Sequence, residues 1–285
     1  MSVINCKEIR NKEIEQIKKS INKEMAIKAV FIQLGDNFAS STYVKNKLKL
    51  CEDVGIIAIH KHLAETTTQN ELIKIIEQLN EDDTIHGIMV QLPLPAHIDE
   101  EAVISVITPR KDIDGFTEAN KGKLMVGDKA GIVPCTPQGI MTILKQQGIS
   151  IAGKNVVIVG RSNIVGKPMA QLMINNGATV TVCNSKTNKF YLGELISRAD
   201  IFISAIGQAN YFNKEFFNSV NIPVSRLKNI VGIDVGINRD KDNKLCGDID
   251  KELYESFKGI TPVPSGVGIM TVCEVIRNIV KCYNS

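Results

Sequence analysis

The chain has 285 residues, of which 44% are hydrophobic and 23% charged, and a formal net charge of +3 at pH 7. At roughly 100–200 residues per domain this allows about two domains with real cores and excludes a disordered chain. The positive balance is weak and scattered along the sequence, which excludes a nucleic-acid-binding stripe; any anionic ligand must be met at a local site.

In chain order, the stretch from Cys6 to Lys23 has helical spacing with many charges. KAVFIQLG, residues 28–35, is a short apolar run ending in glycine and predicts a buried strand. Residues 36–42 are small and polar and supply several possible N-caps. YVKNKLKLCEDVG then predicts a helix closed by Gly55, IIAIHKHL a strand, ELIKIIEQLN an amphipathic helix, and GIMVQLPLP a strand running into two prolines. Strand alternating with helix marks an α/β sheet with parallel strands. Residues 99–107 are helical in pattern, PRKDIDGF is turn-rich, and 118–136 are loop-like, so the domain boundary is expected near residue 118. A helix with proline in its first turn follows over 137–147.

The second half begins again with the strand NVVIVG. A glycine-bearing turn, the helix KPMAQLMINN and the strand ATVTVCNS follow, then two more apolar runs ending in glycine, IFISAIG and NIVGIDVG. This is the pattern of a doubly wound, Rossmann-type nucleotide-binding sheet. The last helix, 270–282, is expected to pack back on the first domain. The expected architecture is therefore two α/β domains: a catalytic domain over 1–117, joined by the terminal helix 269–285, and a cofactor domain over 118–268.

The cysteines, Cys6, Cys51, Cys135, Cys183, Cys246, Cys273 and Cys282, are odd in number and widely spaced, with no CxxC. They predict free thiols and a reducing cytoplasm. His60 and His62 would share a strand face, but no further ligand stands at metal spacing, so no metal is expected. No apolar stretch approaches the ~18 residues of a membrane span.

GRSNIVGKP, residues 160–168, lies between a strand and a helix, where free amides and the helix dipole can hold a phosphate. It is not a Walker loop, because five residues separate Gly160 from Gly166 and Pro168 stands where a Ser or Thr should be. It is not a strict GxGxxG, because Ser162 replaces the middle glycine. At the end of the next strand an NAD-preferring fold places an acid, to bind the ribose hydroxyl. Here stand Asn184, Ser185, Lys186 and Thr187. Hydroxyl and cationic groups there, with Arg161 in the glycine turn, favour the 2′-phosphate of NADP. In the first half, Tyr43 and Lys47 are four apart on one helix face. Gln91 stands at the carboxyl end of a strand, where such sheets bind ligands, and Asp112 and Asp114 share a turn.

The segments YVKNK, GIMVQLPLP, KDIDGF, PCTPQG, GRSNIVGKP, CNSKT and TPVPSGVGIMT, taken in order, resemble the signature segments of the methylenetetrahydrofolate dehydrogenase/cyclohydrolase family. The resemblance covers the chain from about Asp36 to Thr271. It implies oxidation of methylenetetrahydrofolate by NADP to the methenyl cation, then hydrolysis to 10-formyltetrahydrofolate. By position Lys47 matches the family's catalytic lysine, Tyr43 its ring-stacking tyrosine, Gln91 the lysine's partner and Asp114 the acid that holds the pterin. Leu92, Pro264 and Gly266 fall in the implied substrate site. Gly160, Arg161, Ser162, Val165, Gly166, Ser185, Thr136 and Ile237 fall in the implied cofactor site. A homodimer formed through the cofactor domain is also implied. The chain departs from the family's usual pattern at Asn184, where His is usual, at Ser265, usually Gly, and at Ile269, usually Pro. None of these is Lys47, Gln91 or Asp114. A dehydrogenase without hydrolase activity is the alternative, in which Lys47 only binds substrate.

Overall fold

The computed structural model describes residues 3–21 and 25–285. Contacts divide the chain into two compact units, one of residues 12–135 with 272–285 and one of residues 1–11 with 136–271. The elements in order are α1 (Cys6–Ser20), β1 (Lys28–Leu34), α2 (Phe38–Val54), β2 (Ile57–Leu63), α3 (Gln69–Glu81), β3 (Gly87–Val90), α4 (Glu100–Val106), α5 (Glu118–Val126) and α6 (Cys135–Gln146). They continue with β4 (Asn155–Val159), α7 (Gly166–Asn175), β5 (Thr179–Cys183), α8 (Lys189–Ser197), β6 (Ile201–Ser204), α9 (Lys214–Ser219), β7 (Val231–Asp234), β8 (Asn238–Arg239), β9 (Leu245–Cys246), β10 (Gly259–Ile260) and α10 (Val267–Tyr283). The first helix was expected to reach Lys23, but Asn22 and Lys23 lie outside the described residues.

In the first unit the sheet order is β2-β1-β3, all parallel. The central strand β1 is buried from Ala29 onward, which is why it reads as an apolar run broken only by Gln33. Asn37 caps α2 by accepting from the Ser40 N–H, so the helix begins five residues before Tyr43, and Gly55 closes it in the left-handed conformation at φ 84°. A reciprocal capping box of Thr68 and Glu71 starts α3. At its far end the buried Lys111 ammonium donates to the carbonyls of Leu79, Asn80 and Asp82. That contact draws the turn-rich segment alongside β3, where Asp112 bridges Ile88.

This unit runs to Cys135, past the boundary expected near residue 118. Residues 118–126, expected as loop, form α5. Gly122 inside the segment masked it, but Gly127 ends the helix at φ 74° and the buried Asn120 and Leu124 face inward. Asn120 ties α5 to the unit by donating to Asp112 Oδ2 and Pro109 O. The terminal helix does return: Val272, Cys273, Val275, Ile276 and Ile279 share one core with Phe31, Val44 and Met89.

The second unit holds a five-stranded parallel sheet of order β10-β7-β6-β4-β5. The chain winds from β4 to β5 on one side and then to β6 on the other, so the switch point lies between β4 and β6. In such sheets ligands lie in the crevice at the strands' carboxyl ends. The short helices α8 and α9, which no sequence signal was assigned to, cover an aromatic-rich core of Phe202, Phe212, Phe216 and Phe217.

Candidate active site

Lys47 is 6% exposed. Its Nζ donates to Gln91 Oε1 at 2.9 Å and contacts Met89 Sδ at 3.0 Å. Gln91 in turn donates from Nε2 to Leu92 O at 2.7 Å, which fixes which end of its amide meets the lysine. Tyr43, one helical turn before, is half-buried and packs against the same core. An ammonium removed from water is disfavoured, so burial lowers the Lys47 pKa, while the charge of Asp114 pulls it back up. Asp114 is pushed up to about 7, first by burial and further by Asp112, with Lys47 opposing. The two groups therefore approach each other's proton affinity and form a coupled pair.

The two aspartates of the turn do different work. Asp112 accepts from the backbone N–H groups of Gly115 and Thr117, the Thr117 hydroxyl and Asn120 Nδ2. It is fully buried and builds the turn. Gly115 sits at φ 72°, and a Cβ there would lie 2.8 Å from Ile132 O, so only glycine fits. Asp114 accepts no hydrogen bond from the described residues, leaving both oxygens for a ligand. Sequence reasoning missed the groups that hold this turn. Asn278 on α10 donates to Ile113 O and Val133 O, each at 3.0 Å, and Cys135 Sγ meets Ile113 O at 3.4 Å. The available signal was a polar residue inside the apolar stripe of the last helix. Met89 gave no signal, since a methionine in a strand is ordinary core.

In the second unit Gly160 follows β4 at φ 126°, and a Cβ there would lie 2.3 Å from Ala205 O. A Cβ on Gly166 would lie 2.2 Å from Gly160 O. Both glycines are therefore required by a turn this tight, which opens directly onto the N-terminus of α7. The Ser162 hydroxyl accepts from the N–H groups of Val165 and Gly166, so the serine that breaks the glycine motif caps the helix instead. Arg161 and Ser185 are exposed, while Asn184 is half-buried. Asn184 Oδ1 accepts from the Lys186 N–H, and its own N–H donates to Thr187 Oγ1; this holds the turn after β5, which carries no acid. Such a turn, with the cations and hydroxyls beside it, fits a dinucleotide bearing a further phosphate. Thr136 Oγ1 lies 3.0 Å from Thr271 Oγ1. Ile237 is 49% exposed beyond β7. Pro264 is exposed and Gly266 buried; Ser265 between them is at φ 75°. Thus Tyr43, Lys47, Gln91, Leu92 and Asp114 belong to the first unit, and the remaining candidate residues to the second.

Residues 4–114 match the catalytic domain of the tetrahydrofolate dehydrogenase/cyclohydrolase family, and residues 134–285 match its NAD(P)-binding domain. The chain belongs to this family. Relatives include the bifunctional protein FolD of Magnetococcus marinus, 46% identical over 271 residues covering 94% of this chain and 90% of the relative. That of Campylobacter curvus is 49% identical over 253 residues, covering 88% and 83%. Among solved structures, the bifunctional dehydrogenase/cyclohydrolase FolD of Campylobacter jejuni superposes with a TM-score of 0.91 at 41% identity, covering 100% of this chain and 99% of the other. The Trypanosoma brucei enzyme, solved with NADP cofactor and an inhibitor, gives 0.89 at 33% identity, covering 99% and 97%. The two-domain family architecture is the one expected from the sequence, with an α/β catalytic part and a Rossmann-type part. All seven cysteines are unpaired and buried. Among the described residues no helix is long and apolar enough to cross a membrane.

Proposed function

We propose that the chain oxidises 5,10-methylenetetrahydrofolate with NADP and hydrolyses the resulting 5,10-methenyl cation to 10-formyltetrahydrofolate. The observation that carries this reading is the buried Lys47, hydrogen-bonded to Gln91 and coupled to Asp114, which accepts no hydrogen bond from the described residues. When bound, NADP supplies the hydride acceptor. Two nitrogens flank the carbon that loses hydride and stabilise the cation, so the protein's part in that step is orientation. Tyr43 stacks on the folate ring system, and Asp114 accepts two hydrogen bonds from the aminopyrimidine edge. Leu92 lines the substrate beside them.

Hydrolysis needs a base. In the neutral amine of Lys47 the two N–H bonds point to Gln91 Oε1 and Met89 Sδ, which leaves the lone pair in the remaining tetrahedral direction. Water adds to the cationic carbon as Lys47 takes one of its protons. The carbon–N5 bond then breaks as that proton passes to N5, the second water proton is released, and the formyl group stays on N10. Burial serves this role by bringing the amine towards the working pH.

Arg161 and Ser185 take the 2′-phosphate of NADP. Ser162 and Val165, in the turn from Gly160 to Gly166, stand at the pyrophosphate, and Thr136 and Ile237 complete the cofactor site. The enzyme works as a homodimer in the cytoplasm. The test mixes purified protein with methylenetetrahydrofolate and NADP, then NAD, following reduced cofactor, methenyl and formyl products together. Reduced cofactor with formyl product is expected. Comparable kcat/KM with NAD overturns the cofactor preference. Methenyl product that decays no faster than in buffer leaves a dehydrogenase alone, and no turnover with either cofactor overturns the folate reading.

A further inference from the structure

Two aspartates of the second unit, Asp234 and Asp248, are fully buried and have no part in the chemistry above. Asp248 Oδ2 accepts from the Ser204 hydroxyl at 2.9 Å and the Ile206 N–H at 2.8 Å. Its Oδ1 accepts from the Gln208 N–H at 2.9 Å and Asn238 Nδ2 at 3.0 Å. Asp234 Oδ1 accepts from the N–H groups of Gly236 and Asp248, and Oδ2 from that of Ile249. The surrounding chain is shaped to admit these carboxylates. A Cβ on Gly236 would lie 2.2 Å from Asp248 Oδ1, and one on Gly247 would lie 1.9 Å from Asp234 Oδ2.

The donors to Asp248 come from the end of β6 with the loop after it, and from Asn238 after β7. Residues 205–208 follow β6 and residues 235–238 follow β7, both at the carboxyl edge of the sheet. The first loop also lies against the glycine turn, since a Cβ on Gly160 would meet Ala205 O. Ile237 is bracketed: the N–H before it is held by Asp234 and the side chain after it by Asp248. In a doubly wound sheet the glycine turn and the strand after it take one half of the dinucleotide, and the strands across the switch point take the other. Here those strands are β6 and β7.

We propose that Asp248, braced by Asp234, is a positioning residue that holds both loops, and through them Ile237, against the nicotinamide half of the cofactor. The proposal rests on the reading that NADP lies at this edge. A carboxylate suits the task because both of its oxygens only accept; an asparagine would turn two donors against two donors.

The experiment titrates the wild-type chain, Asn238→Ala, Asn238→Asp and Asp248→Asn with NADPH by fluorescence. It then measures KM for NADP, kcat, and hydrolysis of methenyltetrahydrofolate without cofactor. Asn238→Ala loses one hydrogen bond to a charged acceptor, so its Kd is expected to rise about tenfold. KM should follow, while hydrolysis stays within about twofold, a change of under 1 kcal/mol. Asn238→Asp, isosteric but facing Asp248 with like charge, should bind more weakly still, as should Asp248→Asn. Should Asp248→Asn fail to fold, the two Asn238 variants decide. Wild-type NADPH binding in both of them, or hydrolysis lost in parallel with binding, overturns the proposal while leaving the function intact. A wild-type chain that binds no NADPH overturns the functional reading and this proposal with it.

Discussion

Lys47 and Asp114 in the first unit are removed from water and have displaced proton affinities, whereas Arg161 and Ser185 in the second stand in solvent on two separate turns, after β4 and after β5. On the proposed roles, the difference follows from what each must do. Proton transfer near neutral pH requires a lysine that gives up its proton, and burial is the means available to a fold. Recognition of a phosphate requires charges and amides that stay hydrated until the ligand arrives. The first arrangement is costly to stability, because a buried charge is held with few partners; the second costs little. Substitutions should therefore separate activity from stability differently in the two units.

Lys47→Met tests this most strongly. Hydrolysis of methenyltetrahydrofolate should fall about 10²–10⁴-fold, the range general acid–base groups contribute. NADPH binding should be unchanged. Methionine keeps the volume and removes the buried charge, so the thermal midpoint should rise. A lowered midpoint would break the comparison, because it would mean the buried lysine contributes net stability. Unchanged hydrolysis would refute its role as base. Arg161→Ala is the counterpart in the second unit. KM for NADP should rise about 10–100-fold, as for loss of a charged hydrogen bond. KM for NAD should hold, and stability should change by less than about 0.5 kcal/mol. An equal rise for NAD would move Arg161 from the 2′-phosphate to the pyrophosphate.

The central strands of both sheets were legible because buried parallel strands are near-continuous apolar runs followed by glycine, as β1 and β4 illustrate. The helices that escaped were short or internally interrupted: α5 hides behind Gly122, and α8 and α9 bury aromatic residues without a clear helical stripe. Lys47, Gln91 and Asp114 were given roles only because the segments matched a family in order, since their local placement on a helix face, a strand end and a turn does not suffice singly. The supporting groups were not legible. Asn278 reaches Ile113 from 165 positions away in the chain, and Asp248 reaches Ser204 from 44; no local pattern encodes such pairings. The serine that spoils the glycine motif became intelligible once its hydroxyl was seen capping α7.

Asp114→Asn sharpens the comparison within the first unit. The amide keeps one acceptor and presents a donor to the aminopyrimidine edge, so KM for the folate substrate should rise about tenfold, the equivalent of one lost hydrogen bond. The pH dependence carries the sign. Asp114 titrates near 3.8 when unfolded and at about 7 when folded, so the folded state holds its proton more tightly. Its stabilising contribution is complete below the unfolded pKa and is lost as pH rises through about 7. The asparagine variant lacks that loss. Urea midpoints should show it gaining on the wild type from pH 5 to pH 8, and a constant difference would mean the carboxylate is not penalised by burial.

The smallest effect is expected at Ser265, on the second unit's side of the comparison, where a serine in left-handed backbone costs strain instead of buried charge. At φ 75° serine occupies left-handed space, at a cost of roughly 1–2 kcal/mol relative to a residue without a Cβ. Ser265→Gly removes that strain but gives the unfolded chain more freedom, which offsets roughly 0.5–1 kcal/mol. The net gain should be about 0.5 kcal/mol, read as a small rise in urea midpoint at unchanged slope. The loop between Pro264 and Gly266 decides what the strain is for. Higher stability with unchanged folate KM means the serine is tolerated and nothing more. Higher stability with a raised KM means the strained loop is held in the shape that substrate requires, and the second unit then also trades stability for function, through its backbone instead of its charges.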